Sequence, residues 1–245
     1  MQRLVIATAQ MRGQTLFLTT EQQHYLTRVL RLGTGDRFLA LDGEGHAWLA
    51  TLEPDSLTAT LSAFSDATIP LPQKTNKPWI TLAACLPKQG FDEVVRQVTE
   101  LGVDSIVPIL SDRTVLKPSA HKLQRWRRIA CEAAEQSERL TVPKISEPLA
   151  WSHWLQEELM SDRWLCVARR ETVSLMAVYL ATQAKRVVVA VGPEGGWTDI
   201  EITKAVAVGY QPVTLGKGVL RTVTAAVTAL SILHTGEDFA SMKSN

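Results

Sequence analysis

The stretch VAVGPEGGWTDIE, residues 189–201, joins a run of branched apolar residues to a proline, three glycines and an acidic helix start. The apolar run predicts a buried strand, and Thr198 followed by Glu201 fits a helix capping box, so the glycines lie where a strand turns into a helix. Glycine has no Cβ and reaches positive φ, so a flat ligand can approach the backbone there. The spacing matches neither a phosphate-binding loop nor the dinucleotide fingerprint, so a tight turn without a ligand stays open as the alternative.

A second glycine loop, TLGKGVLRT over residues 214–222, follows the next predicted strand. Open α/β sheets bind ligands at the carboxyl ends of their strands, so two glycine loops at such ends indicate a binding site. Arg221 precedes an almost wholly apolar helix. A cation is poorly placed at a helix N-terminus, which favours a specific partner for Arg221 over simple solvation of the helix end.

Charged residues also cluster in CEAAEQSER, residues 131–139. At helical spacing Glu135 and Arg139 share a face and can pair four residues apart. This face is either a solvated, salt-bridged surface or part of a site. The preceding RWRR, residues 125–128, is either a phosphate-contacting patch or an exposed helix face with one buried tryptophan.

Alternating strands and helices must position these residues in the second part of the chain. Their alternation predicts an α/β domain with a largely parallel sheet. Gly102 follows a predicted helix as a typical C-terminal glycine. The predicted order is strand 79–86, helix 91–101, strand 105–110, helix 121–138, strands 164–168 and 187–192, helix 199–208, strand 212–215 and helix 222–234.

The amino-terminal part has a different pattern. Residues 1 to about 65 alternate in short apolar runs between turn signals and predict a small β-barrel, with one helical insert at 21–32. The next stretch, to residue 78, contains three prolines and no apolar period, which predicts a linker. We therefore expect a barrel domain over 1–70, a linker over 71–78 and an α/β domain over 79–245.

Composition sets the class of protein. The chain has 245 residues, is 45% hydrophobic and has a net charge of +1. These values fit a globular enzyme or binding protein without a global cationic field, so nucleic-acid contacts must come from local patches. No apolar stretch approaches the ~20 residues of a membrane span and the start lacks a secretory signal, so we expect a cytoplasmic protein that contacts no membrane.

Cysteine and histidine usage argues against a disulfide framework and a metal centre. Cys85, Cys131 and Cys166 are far apart and lie in apolar or helical sequence, so we expect reduced core residues. The histidines are scattered without the spacing of a metal site, so no catalytic metal is expected.

Several stretches together resemble one known family. LPK at 86–88, TELGV at 99–103, AAEQSER at 133–139, VGPEGGW at 191–197 and LGKGVLRTVTAA at 215–226 occur in the order found in that family, after RVLRLGTGD at 28–36 and DGEG at 42–45. The chain is similar, over nearly its whole length, to the RsmE family of 16S ribosomal RNA (uracil-N3)-methyltransferases in the SPOUT superfamily.

The resemblance implies both a fold and an activity. The fold is α/β: a SPOUT-type methyltransferase domain with a parallel sheet and a trefoil knot, preceded by a small PUA-like β-barrel that binds RNA. The methyl donor is S-adenosylmethionine, and the target is N3 of a specific uridine in 16S ribosomal RNA, within the small ribosomal subunit. A homodimer is also implied.

Methylation at uracil N3 assigns roles to the residues above. The imide must lose its proton, which requires a base or cations that stabilise the charge developing at O2 and O4. We predict Arg139 and Arg221 as these cations, and Glu135 or Glu194 as the base, with solvent as the alternative acceptor. The predicted RNA-binding residues are Arg28, Arg31, Lys88, Arg96 and Arg113. The predicted cofactor-binding residues are Ala168, Gly192, Pro193, Glu194, Gly195, Gly196, Leu215, Gly216, Val219, Leu220 and Thr224.

The chain also departs from the family pattern. Gly218 replaces an arginine, Val223 replaces a glutamate and Glu138 replaces a glycine, while Gln97 replaces a lysine with Arg96 beside it. The missing charges motivate an alternative: a noncatalytic RNA-binding or ribosome-assembly protein that keeps the fold. A dinucleotide-dependent oxidoreductase is the other alternative, and the missing G-x-G-x-x-G argues against it.

Overall fold

The computed structural model describes residues 1–63, 78–115, 118–157 and 160–242. The chain divides into two compact units, Met1–Thr75 with Cys131–Val142 and Asn76–Ala130 with Pro143–Asn245. Cys131–Val142 thus groups with the amino-terminal residues. The predicted linker lies outside the described residues up to residue 77, and the predicted domain boundaries stay a prediction.

The first unit is built on a mixed sheet of short strands. Its strands run in the order β1-β4-β5-β6-β3-β2, with β1 and β4 parallel and the other pairs antiparallel. Leu16, Leu26 and Phe38 are fully buried in its core. The elements are β1 (Arg3–Val5), β2 (Met11–Arg12), β3 (Thr15–Phe17), α1 (Thr20–His24), β4 (Arg37–Leu41), β5 (Ala47–Leu52) and β6 (Thr58–Ala63), with a 3-10 turn at Thr8–Gln10 and a π-helical turn at Tyr25–Val29.

The helical insert starts one residue earlier than predicted and changes character after His24. Thr19 accepts the backbone N–H of Gln22 as N-cap, so α1 begins at Thr20. The Leu30 N–H bonds the Tyr25 carbonyl at 2.9 Å, a five-residue spacing that widens the second half into a π-helical turn. Arg31 then adopts φ 58° and the helical path ends.

The second unit is a parallel sheet with helices, as predicted. Its strand order is β10-β8-β7-β13-β11-β14-β12, with β9 also paired to β8, and each of these described pairs is parallel. The elements are β7 (Trp79–Cys85), α2 (Phe91–Glu100), β8 (Ser105–Leu110), α3 (Ala120–Gln136), β9 (Lys144–Ile145), β10 (Leu149–Ala150), α4 (Trp151–Trp154), β11 (Asp162–Cys166), β12 (Val173–Ser174), α5 (Leu175–Ala181), β13 (Arg186–Val191), α6 (Asp199–Ala207), β14 (Tyr210–Thr214) and α7 (Thr222–Met242).

The order of strands in this sheet departs from their order along the chain. β11 lies between β13 and β14. The two glycine loops therefore do not follow adjacent strands of the sheet, because β11 lies between β13 and β14. Since all three strands are parallel, their carboxyl ends meet at one edge and three loops converge there.

The ends of two helices confirm the local predictions. Gly102 has φ 89° and Val103 N–H bonds the Val98 carbonyl at 3.0 Å, which is the glycine-terminated end predicted for α2. Thr198 and Glu201 form the capping box at the start of α6.

The cysteines are free thiols in this structure, Cys85 and Cys166 buried and Cys131 partly buried. Burial raises the pKa of the Cys166 thiol to about 12 and that of Cys131 to about 11. No described helix combines the length and the apolar character needed to cross a membrane.

Candidate active site

The loops that follow β11, β13 and β14 line one cleft at the carboxyl edge of the parallel sheet. Its volume is about 250 Å³, just below the ~300–1,000 Å³ of small-molecule pockets. The walls are formed by residues after β11 (167–170), after β13 (192–197) and after β14 (215–216 and 218–220), together with Thr222 and Ala225 of α7. A small organic ligand can therefore be held by three loops at once.

Glycines form much of the wall of this cleft. Gly196 has φ 69° and Gly216 has φ 129°, backbone conformations that side chains disfavour. At Gly192 an added Cβ would lie 2.9 Å from Nε1 of Trp197. That indole is buried and donates to the Cys166 carbonyl at 3.2 Å, so it cannot move freely. The close packing of backbone and Trp197 therefore requires glycine at 192.

The start of α7 is tied to the glycine loop after β13. The Thr222 hydroxyl is almost fully buried and donates to the Gly192 carbonyl at 3.0 Å. In the loop after β14, the Thr214 hydroxyl accepts the Gly216 N–H at 3.1 Å and donates to the Gly216 carbonyl. These bonds hold both glycine loops in fixed positions around the cleft.

The predicted cofactor-binding residues come together here. All of them line the cleft except Thr224, which is exposed on α7 beside the lining residue Ala225. The lining combines bare glycine backbone with apolar side chains such as Val167, Val191 and Leu215. Such a lining suits a ligand with a flat heterocycle, because rings stack against apolar surface and polar ring edges meet backbone groups. The individual contacts stay a prediction.

Glu194, a predicted base, lines the cleft but already has a structural partner. Its Oε1 accepts the backbone N–H of Lys88 at 2.9 Å. Since β7 and β13 are neighbouring strands, this bond connects the loop after β7 to the glycine loop after β13. The Lys88 side chain, predicted to contact RNA, is exposed at this junction.

The buried carboxylate of Glu201 also supports a residue that lines the cleft. The sequence indicated Glu201 only as part of a helix capping box. Glu201 is 4% exposed; its Oε2 accepts Thr198 N–H at 2.8 Å and its Oε1 accepts Asp112 N–H at 3.0 Å. The adjacent Arg113 lines the cleft and donates from Nη1 to the Gly195 carbonyl at 2.6 Å. Glu201 thereby positions Arg113, which we had predicted as an RNA contact.

The other predicted catalytic pair belongs to the first unit. Glu135 accepts the backbone N–H of Val5 at 2.6 Å, and burial raises the pKa of its carboxyl above the ordinary value although this hydrogen bond opposes the shift. Arg139 donates to the Thr141 hydroxyl at 3.3 Å. Glu135 thus joins the end of α3, which groups with the first unit, to β1. The charge pattern did not reveal this contact, and the catalytic role of Glu135 stays a prediction.

The remaining predicted cations differ in their surroundings. Arg221 is exposed, and it is not among the described residues that line the cleft. Arg28 and Arg31 are exposed in the first unit. Arg96 pairs with Glu93 and with Glu100, the latter at 3.2 Å, so part of its charge is used on its own helix.

The RWRR segment has mainly structural contacts. Trp126 is 1% exposed and its Nε1 donates to Asp92 at 3.0 Å, while Arg125 pairs with the same carboxylate at 2.7 Å. Arg127 donates to the Ile145 carbonyl at 3.1 Å. These contacts favour the alternative of a helix face with one buried tryptophan.

Two departures from the family pattern have simple settings. An added Cβ at Gly218 would meet nothing within 4 Å, so this position has open space for a side chain. Val223 is half-buried and packs against Gly90. A Cβ added at Gly90 would lie 3.1 Å from Cγ2 of Val223. Val223 therefore serves packing between α7 and the start of α2.

Comparison with known proteins gives the class. Residues 74–234 match a family described as RNA methyltransferase domain, and residues 18–62 match one described as RNA methyltransferase PUA domain. Ribosomal RNA small subunit methyltransferase E of Synechocystis sp. is 45% identical over 242 residues, covering 95% of this chain and 77% of the relative. That of Aquifex aeolicus is 31% identical over 238 residues, with 94% and 98% covered.

Solved structures agree with this class. Ribosomal RNA small subunit methyltransferase E from Neisseria gonorrhoeae, bound to S-adenosyl methionine, superposes with a TM-score of 0.81 at 29% identity, over 96% of this chain and 97% of that one. A putative methyltransferase from Legionella pneumophila in complex with bound SAM gives 0.79 at 26% identity, over 95% and 96%.

Fold and matches define a methyltransferase domain of RNA-modifying type preceded by a PUA domain. Within that class, the chain belongs to the ribosomal RNA small subunit methyltransferase E family. The resemblance and the fold class seen in the sequence are confirmed, whereas the trefoil knot stays a prediction. Among the described residues, no group of three or more His, Cys, Asp and Glu side chains could hold a metal ion.

Proposed function

We propose that the protein transfers a methyl group from S-adenosylmethionine to N3 of a uridine in 16S ribosomal RNA. The observation that supports this most directly is the cleft formed by the ends of β11, β13 and β14. It lies within the matched methyltransferase domain, and relatives of the same fold are bound to S-adenosyl methionine. S-adenosylmethionine is the methyl donor of this family member, and the oxidoreductase alternative falls away.

The cleft suits this donor because its glycine loops leave room for a flat adenine ring beside the backbone. The bound donor supplies an electrophilic methyl group on a sulfonium. The chain's own contribution is to orient: Thr222 fixes the Gly192 loop and Glu194 fixes Lys88 beside it. Holding both reactants in line can supply most of the acceleration of a methyl transfer.

Proton removal from N3 is the second requirement of the reaction. Glu194 and Glu135 each accept a backbone N–H, so both have a positioning role in the folded chain. We therefore propose that solvent is the final acceptor of the N3 proton. A cation beside the uracil ring then stabilises the negative charge that remains on it.

The first unit supplies RNA affinity in this proposal. It contains the PUA match, and Arg28 and Arg31 are exposed on its helical insert. Exposed arginines contact phosphates and position a duplex or loop without selecting its sequence. In this proposal the substrate is 16S ribosomal RNA within the assembled small subunit. The protein acts as a homodimer in the cytoplasm.

The decisive experiment is methylation of 16S RNA by the purified protein. Radiolabelled donor should transfer label to small-subunit RNA that lacks the modification, and mass mapping should locate one methylated uridine. Calorimetry with S-adenosylmethionine provides the control. Donor binding without label transfer to free RNA or to subunits would instead support the noncatalytic RNA-binding alternative.

A further inference from the structure

Three arginines line the cleft, and they differ in what they contact. Arg113 donates to the Gly195 carbonyl at 2.6 Å, and Arg170 pairs with Asp199 at the start of α6. Arg169 is exposed and has no hydrogen-bond or ion-pair partner among the described residues. Of these three guanidinium groups, that of Arg169 is the one available to a ligand.

The backbone at Arg169 is unusual for a long side chain. Its φ is 58°, in the left-handed region that glycine and asparagine tolerate and other residues seldom adopt. Such conformations cost free energy and occur preferentially at binding and catalytic sites. The residue stands three positions after the end of β11, so the turn directs the chain around the carboxyl edge of the sheet at the cleft.

The loop that follows β14, the strand next to β11, has glycine at two of its positions. Gly216 and Gly218 line the cleft, and a Cβ at either would meet nothing within 4 Å. Arg221, at the end of that loop, is exposed and is not among the described lining residues. The wall of the cleft therefore includes Arg169 on the loop after β11, whose guanidinium pairs with no described residue, and the bare backbone of Gly216 and Gly218 on the loop after β14.

We propose that Arg169 is a catalytic residue that contacts the target uracil, donating N–H groups to O2 or O4. This inference rests on the proposed function. As the N3–H proton leaves to solvent, negative charge spreads to these oxygens. The N3 lone pair then bonds the methyl carbon while the C–S electron pair stays on sulfur. A fixed cation at the uracil oxygens lowers the energy of the anionic state, as oxyanion-stabilising donors do.

The test compares Arg169→Ala with Arg169→Gly, because glycine removes the side chain and also relieves the left-handed backbone. We expect kcat for RNA methylation to fall about 100-fold or more in both, in line with the loss of one oxyanion donor. The Kd for S-adenosylmethionine and the KM for RNA should stay within about threefold of wild type. Activity of both variants should need higher pH, since N3 deprotonation loses its stabilising charge, and Arg169→Lys should recover part of it.

The control is Arg186→Ala, which removes an exposed arginine at the amino-terminal end of β13, the opposite edge of the sheet. It should behave as wild type. Native kcat in Arg169→Gly would overturn the proposal, because the arginine would then serve only the turn. A raised RNA KM with unchanged kcat and a flatter salt dependence would also overturn it and indicate a phosphate contact. Wild-type protein that binds donor but methylates no RNA would refute the proposed function itself.

Discussion

Among the glycines that line the cleft, Gly192 is the one at which an added Cβ would make the closest contact. A Cβ at this position would approach Nε1 of Trp197 to 2.9 Å, and the indole is held by the Cys166 carbonyl. At Gly195 a Cβ would instead lie 3.1 Å from the Arg113 side chain, which is not a rigid ring. Packing against a rigid aromatic ring thus distinguishes two glycines that look equivalent in the sequence.

We expect Gly192→Ala to weaken S-adenosylmethionine binding at least tenfold, about 1.4 kcal/mol, because Trp197 or the glycine loop must shift. Gly218→Ala, in the same cleft but facing open space, should bind the donor within about twofold of wild type. Calorimetric titration of both variants measures the difference. Native affinity in Gly192→Ala would show that the donor does not depend on this loop.

Glu135 shows where residue-level inference from sequence stopped. The pattern AAEQSER placed Glu135 on a charged helix face, and charge runs are usually solvated. Its carboxylate instead accepts the N–H of Val5, a residue 130 positions away. A partner so distant in sequence leaves no periodic trace, so only the tertiary structure could reveal this contact.

At the scale of elements, the end of α3 explains a departure from the family pattern. Glu138 adopts φ 63°, and Arg139 N–H bonds the Ala134 carbonyl at 2.9 Å, which is a helix end that normally uses glycine. Glu138 also pairs with Arg3 at 2.7 Å, and the Arg3 side chain is only 8% exposed. The ion pair offsets part of the cost of a non-glycine residue at this position.

Glu138→Gly should therefore leave stability close to wild type, whereas Glu138→Ala should lower the melting temperature by several degrees. Both lose the Arg3 partner, but only glycine relieves the left-handed backbone, which costs about 1–2 kcal/mol for other residues. Arg3 holds the pKa of Glu138 below its ordinary value of 4.5, so the wild-type ion pair stabilises above that pH and fades as pH falls. Thermal melts at pH 7 and pH 3 measure this; equal melting temperatures for the two variants would contradict it.

Elements with a long, clear period were predictable from the sequence, and the short ones were not. The strands at 79–86 and 105–110 and the helix at 91–101 correspond to β7, β8 and α2 within one residue. α4, α5, β9, β10 and β12 were missed because they have two to seven residues, too few for a periodic pattern. The position of β11 between β13 and β14 was also beyond reach, since apolar patterns give strands but not their order.

At the scale of the whole molecule, α7 supports the proposed homodimer. It is the longest described helix, and its first part, residues 223–233, is mostly apolar. This part buries Ala226, Ala229 and Leu230 while leaving Val227 and Ile232 half-buried. Partly exposed apolar side chains on a core helix are typical of surfaces that pair with another chain.

Light scattering coupled to gel filtration at micromolar concentration should give twice the 27.0 kDa mass of the chain. Val227→Glu with Ile232→Glu should shift this mass to that of one chain, because burying two carboxylates in an apolar interface is costly. Circular dichroism checks that the variant stays folded. A wild-type mass near that of the single chain would argue directly against the dimer.

Division of labour between the two units is the last property of the whole molecule. All the residues that line the cleft belong to the second unit, while Arg28 and Arg31 are exposed in the first. Each phosphate contact releases counterions, so removing two contacts should weaken RNA binding. In a plot of the logarithm of the RNA association constant against the logarithm of salt concentration, the slope should become less steep by about 0.7–0.9 per contact. Arg28→Ala with Arg31→Ala should therefore raise the RNA Kd, keep donor affinity, and largely keep turnover at saturating RNA. Lys185→Ala with Arg186→Ala removes two exposed cations of the second unit outside the cleft and provides the control for net charge. If RNA binding across a salt series is the same for the double variant and wild type, these arginines only solvate the first unit and RNA affinity comes from elsewhere.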